Sequence, residues 1–114
     1  MQPRLKDRRC VPCEAGTPPL DDATTRLLLG EVPSWGLKVE AGKPPRIARQ
    51  FEFVDFLAAM AFVGRVASIA EEEQHHPDFC VHYNRVEVTL WTHTVRGLSE
   101  NDFILASKLD AALA

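Results

Sequence analysis

The chain has no excess of positive charge: 13 Lys and Arg stand against 16 Asp and Glu, a formal net charge of −3. Proteins grip nucleic acid largely by neutralising phosphates, so no nucleic-acid partner is expected. Long apolar runs are also missing, and none approaches the roughly 20 residues of a membrane-spanning helix, so no membrane role is expected. The opening Met1-Gln-Pro-Arg-Leu-Lys-Asp-Arg-Arg carries no apolar core of a secretory signal, which points to the cytoplasm. Cysteine is scarce and odd in number: intramolecular disulfides cannot consume all of Cys10, Cys13 and Cys80. That suits a reducing compartment and a fold held by packing alone. There is no glycine-rich phosphate loop, no nucleophile elbow and no Cys/His nucleophile pattern, so nucleotide hydrolysis and covalent catalysis lack support.

What is present is an ordinary globular composition, 46% apolar and 25% charged over 114 residues, enough for one core and one domain. Residues 1–19 mix charges, two cysteines and "GTPPL" with little periodic apolar signal, and read as a mobile N-terminal arm. Residues 20–114 read as the single domain. In "LDDATTRLLLGEVPSWGL", Asp21 or Asp22 caps a short helix that Gly30 and Pro33 end, with Trp35 anchoring its exit. Leu37-Lys38-Val39 offers a first strand, and Ile47, Arg49, Phe51 and Phe53 alternate as one face of a second.

From Asp55 to Gln74 the spacing of Phe56, Met60, Val63 and Ile69 predicts a long helix whose apolar stripe covers a sheet. Pro77 should close it near Gln74 to His76. Phe79, Val81 and Tyr83, a turn at Asn84-Arg85, and Val86, Val88 and Leu90 predict a hairpin. Ser99 and Asp102 resemble a capping box for a last helix with Phe103, Ala106, Leu109 and Leu113 on one face. The expected class is α+β, in two layers: a four-stranded antiparallel sheet with helices packed on one face, in the order α-β-β-α-β-β-α.

The polar residues that attract attention are histidines. His75 and His76 fall at a helix end and His93 at the end of the last strand, where a two-layer fold opens a rim cleft. Imidazoles titrate near neutral pH, so such a cluster can hold a proton donor and a proton acceptor together. A plainer reading is also open, since histidines near a helix C-terminus are favoured by the macrodipole. Glu71 lies four residues before His75, on the same helical face, whereas Glu72 and Glu73 read as solvated. Asp102 could serve only as a cap. Cys10-Val-Pro-Cys13 has the spacing of half a zinc site, with His75 and His76 as the other half, but adjacent histidines seldom reach one ion. His82 lies on the polar face of its strand and is left out of the site.

Taken together, the pattern Glu71, three residues, His75-His76-Pro77, five residues, Tyr83, nine residues, His93, eight residues, Asp102 resembles the signature of the pterin-4a-carbinolamine dehydratases. "RIARQFEFVDFLAAMAFVGRVASIAE" and "THTVRGLSENDFILASKLD" are similar to that family's segments, and "CVPCEAGTPPL" to the arm of its bacterial members. The resemblance implies dehydration of 4a-hydroxytetrahydropterin to quinonoid dihydropterin, serving aromatic amino-acid hydroxylases such as phenylalanine hydroxylase, without metal or organic cofactor. It implies acid/base work for His75 and His93, substrate holding by His76, and orienting roles for Asp102 and Glu71. It implies ring contacts along Gln74 to His76 and along Trp91, Thr92, His93 and Thr94. Some members carry Asp, Ser and Glu where this chain has Gln74, Trp91 and Thr94. A homodimer or homotetramer is implied too, an open sheet edge giving a physical route to pairing. Two alternatives come with the resemblance: a dimerisation cofactor of a transcription factor, and a role in molybdopterin metabolism.

Overall fold

A computed structural model of the chain describes residues 4–14 and 16–113. Residues 1–3 and Ala15 of the expected arm, and Ala114, lie outside the described residues. The elements are α1 (Asp22–Leu29), β1 (Gly36–Lys38), β2 (Arg46–Glu52), α2 (Phe56–Glu73), β3 (Asp78–His82), β4 (Arg85–Leu90) and α3 (Glu100–Ala111), the expected order. Short 3-10 turns at Leu5–Asp7 and His93–Val95 were not anticipated. All strand pairs are antiparallel and the sheet order is β1-β2-β4-β3, so β4 lies beside β2 in the middle.

Local chemistry starts each helix. The Asp21 carboxylate accepts from the Thr24 amide at 2.8 Å and Asp55 from the Ala58 amide at 2.8 Å, each satisfying an amide the first turn leaves unpaired. In the sheet, Val86, Val88 and Leu90 are fully buried while Glu87 and Thr89 between them are only half-buried, the alternation of a strand covered on one face. Ile47 and Phe51 of β2 join that face, against Phe62 of α2 and Phe103 of α3. Arg49 shares the face yet is not stranded there. Its guanidinium meets Asp110 of α3 at 2.6 Å and lies 4.4 Å above the Phe51 ring, while the Trp35 indole donates to the same Asp110 at 2.9 Å. The exit of α1 is thereby tied to α3.

The structure corrects several positions. The buried stripe of α2 is Ala59, Phe62, Val66, Ala70 and Glu73; of the expected stripe, Val63 and Ile69 pack only partly buried against the core, and Phe56 and Met60 stay outside it. Phe56 is 48% exposed and Met60 39%. The helix is apolar on more than one side, and small alanines, with Phe62 between them, let its axis approach the sheet; side-chain size misled the periodicity. Tyr83 leaves the strand because the hairpin turns at Tyr83-Asn84, with Tyr83 at φ 53°, rather than at Asn84-Arg85. Val39 falls outside β1, and Leu113 is 42% exposed at the end of the α3 face. Conversely, α3 buries Asn101, Asp102, Ile104 and Leu105 as well as Phe103, Ala106 and Leu109, because the 3-10 turn carrying the buried Leu5 packs against it.

Candidate active site

α2 ends for a reason local to Gln74. That residue adopts the left-handed conformation (φ 53°, ψ 39°), the Gln74 amide donates to the Glu71 carbonyl at 3.3 Å, and the His75 amide donates to the Ala70 carbonyl at 3.2 Å. This is the closing pattern in which glycine is usual. A side chain there costs roughly 1 kcal/mol, and the Gln74 carboxamide offsets part of it by donating to the Glu71 carbonyl. The chain therefore leaves the helix at His75, and the expectation that Glu71 shares a face with His75 fails. The Glu71 carboxylate instead lies 2.7 Å from Nε2 of His76.

His75 turns inward. Its Nε2 lies 2.6 Å from Oδ1 of Asp102, which is wholly buried in the first turn of α3. The other oxygen of Asp102 accepts from the Thr92 hydroxyl and from the Ser99 amide, both at 2.9 Å. The bond from Ser99 is the carboxylate half of the expected capping box, so capping and holding the histidine are done by one group. A carboxylate can only accept, so it draws the hydrogen of neutral His75 to Nε2 and leaves Nδ1 with its lone pair. Thr92, expected among ring contacts, is buried and spends its hydroxyl on Asp102 and, at 2.7 Å, on Ser99 Oγ.

His93 sits three residues beyond the end of β4, opening the 3-10 turn His93–Val95, and its side chain is exposed. Its ring stacks on Trp91 with centroids 3.8 Å apart and planes 19° apart. The Trp91 indole in turn donates to Asp78 at 3.3 Å. Thr92 and Gly97 bridge backbone to backbone across this turn, and a side chain at Gly97 would bring its Cβ to 2.9 Å from Pro19. Glycine is required there by close approach, and the turn is held in place from both sides.

Gln74, His75, His76, Trp91, Thr92, His93 and Thr94 line one lobe of a cleft, of about 300 Å³. The site residues expected from sequence are thus brought together at the lobe, apart from Glu71 and Asp102, which reach it only through His76 and His75. A second lobe, of about 410 Å³, shares Gln74, His75, Thr92 and Thr94 and is closed by residues of the arm. Sequence reasoning missed what builds it. Glu73, read as solvated, is 6% exposed; it accepts from the Cys10 amide at 2.8 Å and pairs with Arg9 at 3.3 Å and Lys108 at 3.7 Å. The usable signal was its placement at a helix C-terminus, where a carboxylate is repelled unless cations gather round it. Burial, and next the Glu73 carboxylate, push the Cys10 thiol up to about 12. Among the described residues no group of three or more His, Cys, Asp or Glu is arranged to hold a metal ion, and Cys10 and Cys13 instead contact Asn101.

Residues 18–112 match the family model for pterin 4 alpha carbinolamine dehydratase. A protein of Halorhodospira halophila, provisionally named a pterin-4-alpha-carbinolamine dehydratase, is 46% identical over 107 residues, spanning 94% of this chain and 95% of its own. Among solved structures, a transcriptional coactivator/pterin dehydratase from Brucella melitensis superposes with a TM-score of 0.75 at 34% identity, covering 84% of this chain and 99% of that one. A pterin dehydratase-like RuBisCO assembly factor of the alpha-carboxysome gives a TM-score of 0.58 at 29% identity, covering 69% of this chain and 88% of that one.

Proposed function

This chain belongs to the pterin-4a-carbinolamine dehydratase family and is by close homology a dehydratase of that class, and we propose that it removes water from 4a-hydroxytetrahydropterin by histidine acid/base catalysis. The product would be quinonoid dihydropterin, returned to the tetrahydropterin pool used by aromatic amino-acid hydroxylases such as phenylalanine hydroxylase. The observation that carries the reading is the buried Asp102 bonded to His75 at 2.6 Å, on a lobe that His76 and His93 also line.

The reaction needs a proton delivered to the departing hydroxyl and another removed from the adjacent ring nitrogen, whose electron pair closes the new C=N bond as the C–O bond breaks. His75, its Nε2 bonded to Asp102, has Nδ1 available as the base, and the imidazolium it becomes is stabilised by the carboxylate. His93 has no carboxylate partner among the bonds described and is the acid, delivering its proton to the leaving oxygen. His76 holds the substrate from the rim, oriented by Glu71, and Gln74, Trp91 and Thr94 surround the ring. None of these steps calls for a metal or an organic cofactor.

The protein works in this reading as a cytoplasmic homodimer or homotetramer. Two observations support assembly: β3 is an edge strand with Phe79 43% exposed, and Leu57 of α2 is 79% exposed. Among the described residues no helix is long and apolar enough to cross a membrane. A second reading takes those apolar surfaces as the seat of a different protein, in the manner of a coactivator or an assembly factor; a place in molybdopterin metabolism is a further alternative. The deciding assay follows dehydration of freshly generated 4a-hydroxytetrahydropterin by stopped flow. His75→Ala and His93→Ala should each lower kcat by about a hundredfold, the lower end of what a positioned acid or base supplies. A wild-type rate no faster than the spontaneous one sinks the enzymatic reading.

A further inference from the structure

His75 and His93 are assigned opposite proton transfers, and they are held by different means. His75 is fixed through a ring nitrogen bonded to Asp102. Among the described residues the ring of His93 makes no hydrogen bond and one ring contact, with Trp91. Its side chain is exposed. An exposed imidazole free to turn about two bonds is rarely aimed at one oxygen, whereas a general acid must lie within about 3 Å of the atom it protonates. Something has to hold that ring.

The backbone brings Trp91 and His93 together. Thr92 between them is extended (φ −110°, ψ 110°), and its hydroxyl donates to the buried Asp102 at 2.9 Å. In extended backbone the side chains on either side of a residue leave by the opposite face. With Thr92 drawn inward, Trp91 and His93 point the same way, and their rings meet with centroids 3.8 Å and planes 19° apart. Asp102 thus registers both histidines, His75 by a direct bond and His93 through Thr92. The indole is fixed in turn from the sheet. Asp78 of β3 lies opposite Thr89, two residues before Trp91, and accepts from the indole Nε1 at 3.3 Å. Trp91 lines both the histidine lobe and a cavity of about 350 Å³ that reaches Lys43 and Arg46, two cations already paired with Glu40. The indole is a partition between two open spaces, so the bond to Asp78 is what sets its tilt.

We propose that Trp91 is the positioning residue for the acid, holding the His93 ring by its face, and that Asp78 orients the indole that does so. The inference rests on the dehydratase reading. A face contact suits an acid because the hydrogen bonds of imidazole lie in the plane of the ring. One N–H is left to meet the departing oxygen and the other to meet water. A carboxylate partner like that of His75 would occupy one of the two. The electron-rich indole face is also compatible with the positive charge that the acid carries before it gives up its proton. Because Trp91 acts through His93, its loss belongs to kcat and leaves KM little changed.

Proton NMR tests the stack directly. The ring protons of His93, identified by their absence in His93→Ala, should lie upfield of those of the exposed His82 through the ring current of the indole. They should move downfield in Trp91→Leu and less so in Trp91→Phe. In the dehydration assay Trp91→Leu should lower kcat about tenfold with KM within about twofold, as for a displaced catalytic group, and Trp91→Phe should recover most of the loss. Asp78→Ala should show a smaller loss in the same direction. In the His93→Ala background Trp91→Leu should cost nothing further, because the two residues act as a unit. Additive losses would mean that the indole serves the substrate itself, and would overturn the inference, as would His93 protons that lack the upfield shift. Full activity in Trp91→Leu removes this inference alone, whereas a wild type no faster than the spontaneous rate removes the dehydratase reading with it.

Discussion

His75 and His76 are neighbours in sequence, and each ring nitrogen meets a carboxylate at almost the same distance, 2.6 Å to Asp102 and 2.7 Å to Glu71. Their surroundings differ throughout. The His75 side chain is 12% exposed and that of Asp102 not at all, whereas those of His76 and Glu71 are 60% and 72% exposed. Water and salt screen the outer pair, and holding two free side chains together costs entropy that cancels much of the attraction. The inner pair is largely unscreened, and removing Asp102 takes the acceptor not only from His75 but also from the Thr92 hydroxyl and the Ser99 amide. Bond length therefore says little about what each contact is worth. Burial and the number of further donors decide it.

Asp102→Ala should open the widest gap between the two pairs. It should lose about 3 kcal/mol in urea denaturation, as expected when a buried acceptor of three hydrogen bonds is removed and its donors are left unpaired. It should also lower kcat by about a hundredfold, through the loss of His75's orientation. If Asp102→Ala proves no worse than Glu71→Gln on either measure, the contrast drawn from burial is wrong.

The same inside-outside contrast recurs in the thiols. Cys10 is half-buried with its pKa raised from 9.0 to about 12, first by burial and then by Glu73, while Cys80 is exposed on β3. Alkylation needs the thiolate, so iodoacetamide near pH 8 should modify Cys10 roughly a hundredfold more slowly than Cys80, followed residue by residue by mass spectrometry. The raised pKa also fixes a sign. The stability contributed by the neutral Cys10 is complete below the thiol's unfolded pKa and is lost as pH climbs towards about 12. Comparable rates at the two cysteines would show that the arm does not shield Cys10.

Glu71→Gln carries the smallest effect and sharpens the comparison from the other side. Its cost should stay within about 1 kcal/mol and shrink further in 1 M salt, as for exposed ion pairs generally. A KM effect without a kcat effect is the kinetic counterpart, since His76 is assigned to holding the substrate.

Much of this architecture was legible from one sequence, and the reasons are physical. Strand and helix periods are set by backbone geometry, so Val86, Val88 and Leu90 declared a buried face, and Asp21, one of the two cap candidates, acts on an amide three residues away. Pro77 and the spacing of the polar residues marked where α2 would end and which histidines would gather beside it. The stripe of α2 was misread because a helix with several apolar sides does not reveal from within which side the sheet will take.

What only the tertiary structure decided is pairing across the chain. Nothing local to Gln74 announces a left-handed turn in a residue other than glycine, yet that turn gives Asp102 to His75 and Glu71 to His76. Nothing local to Glu73 or Asn101 announces that each will hold a segment 63 or 90 residues away. Local signals reach a few residues because hydrogen bonds and side chains are short. The candidate histidines could therefore be picked out along the chain, while their partners and the wall beside them had to wait until packing brought distant segments together.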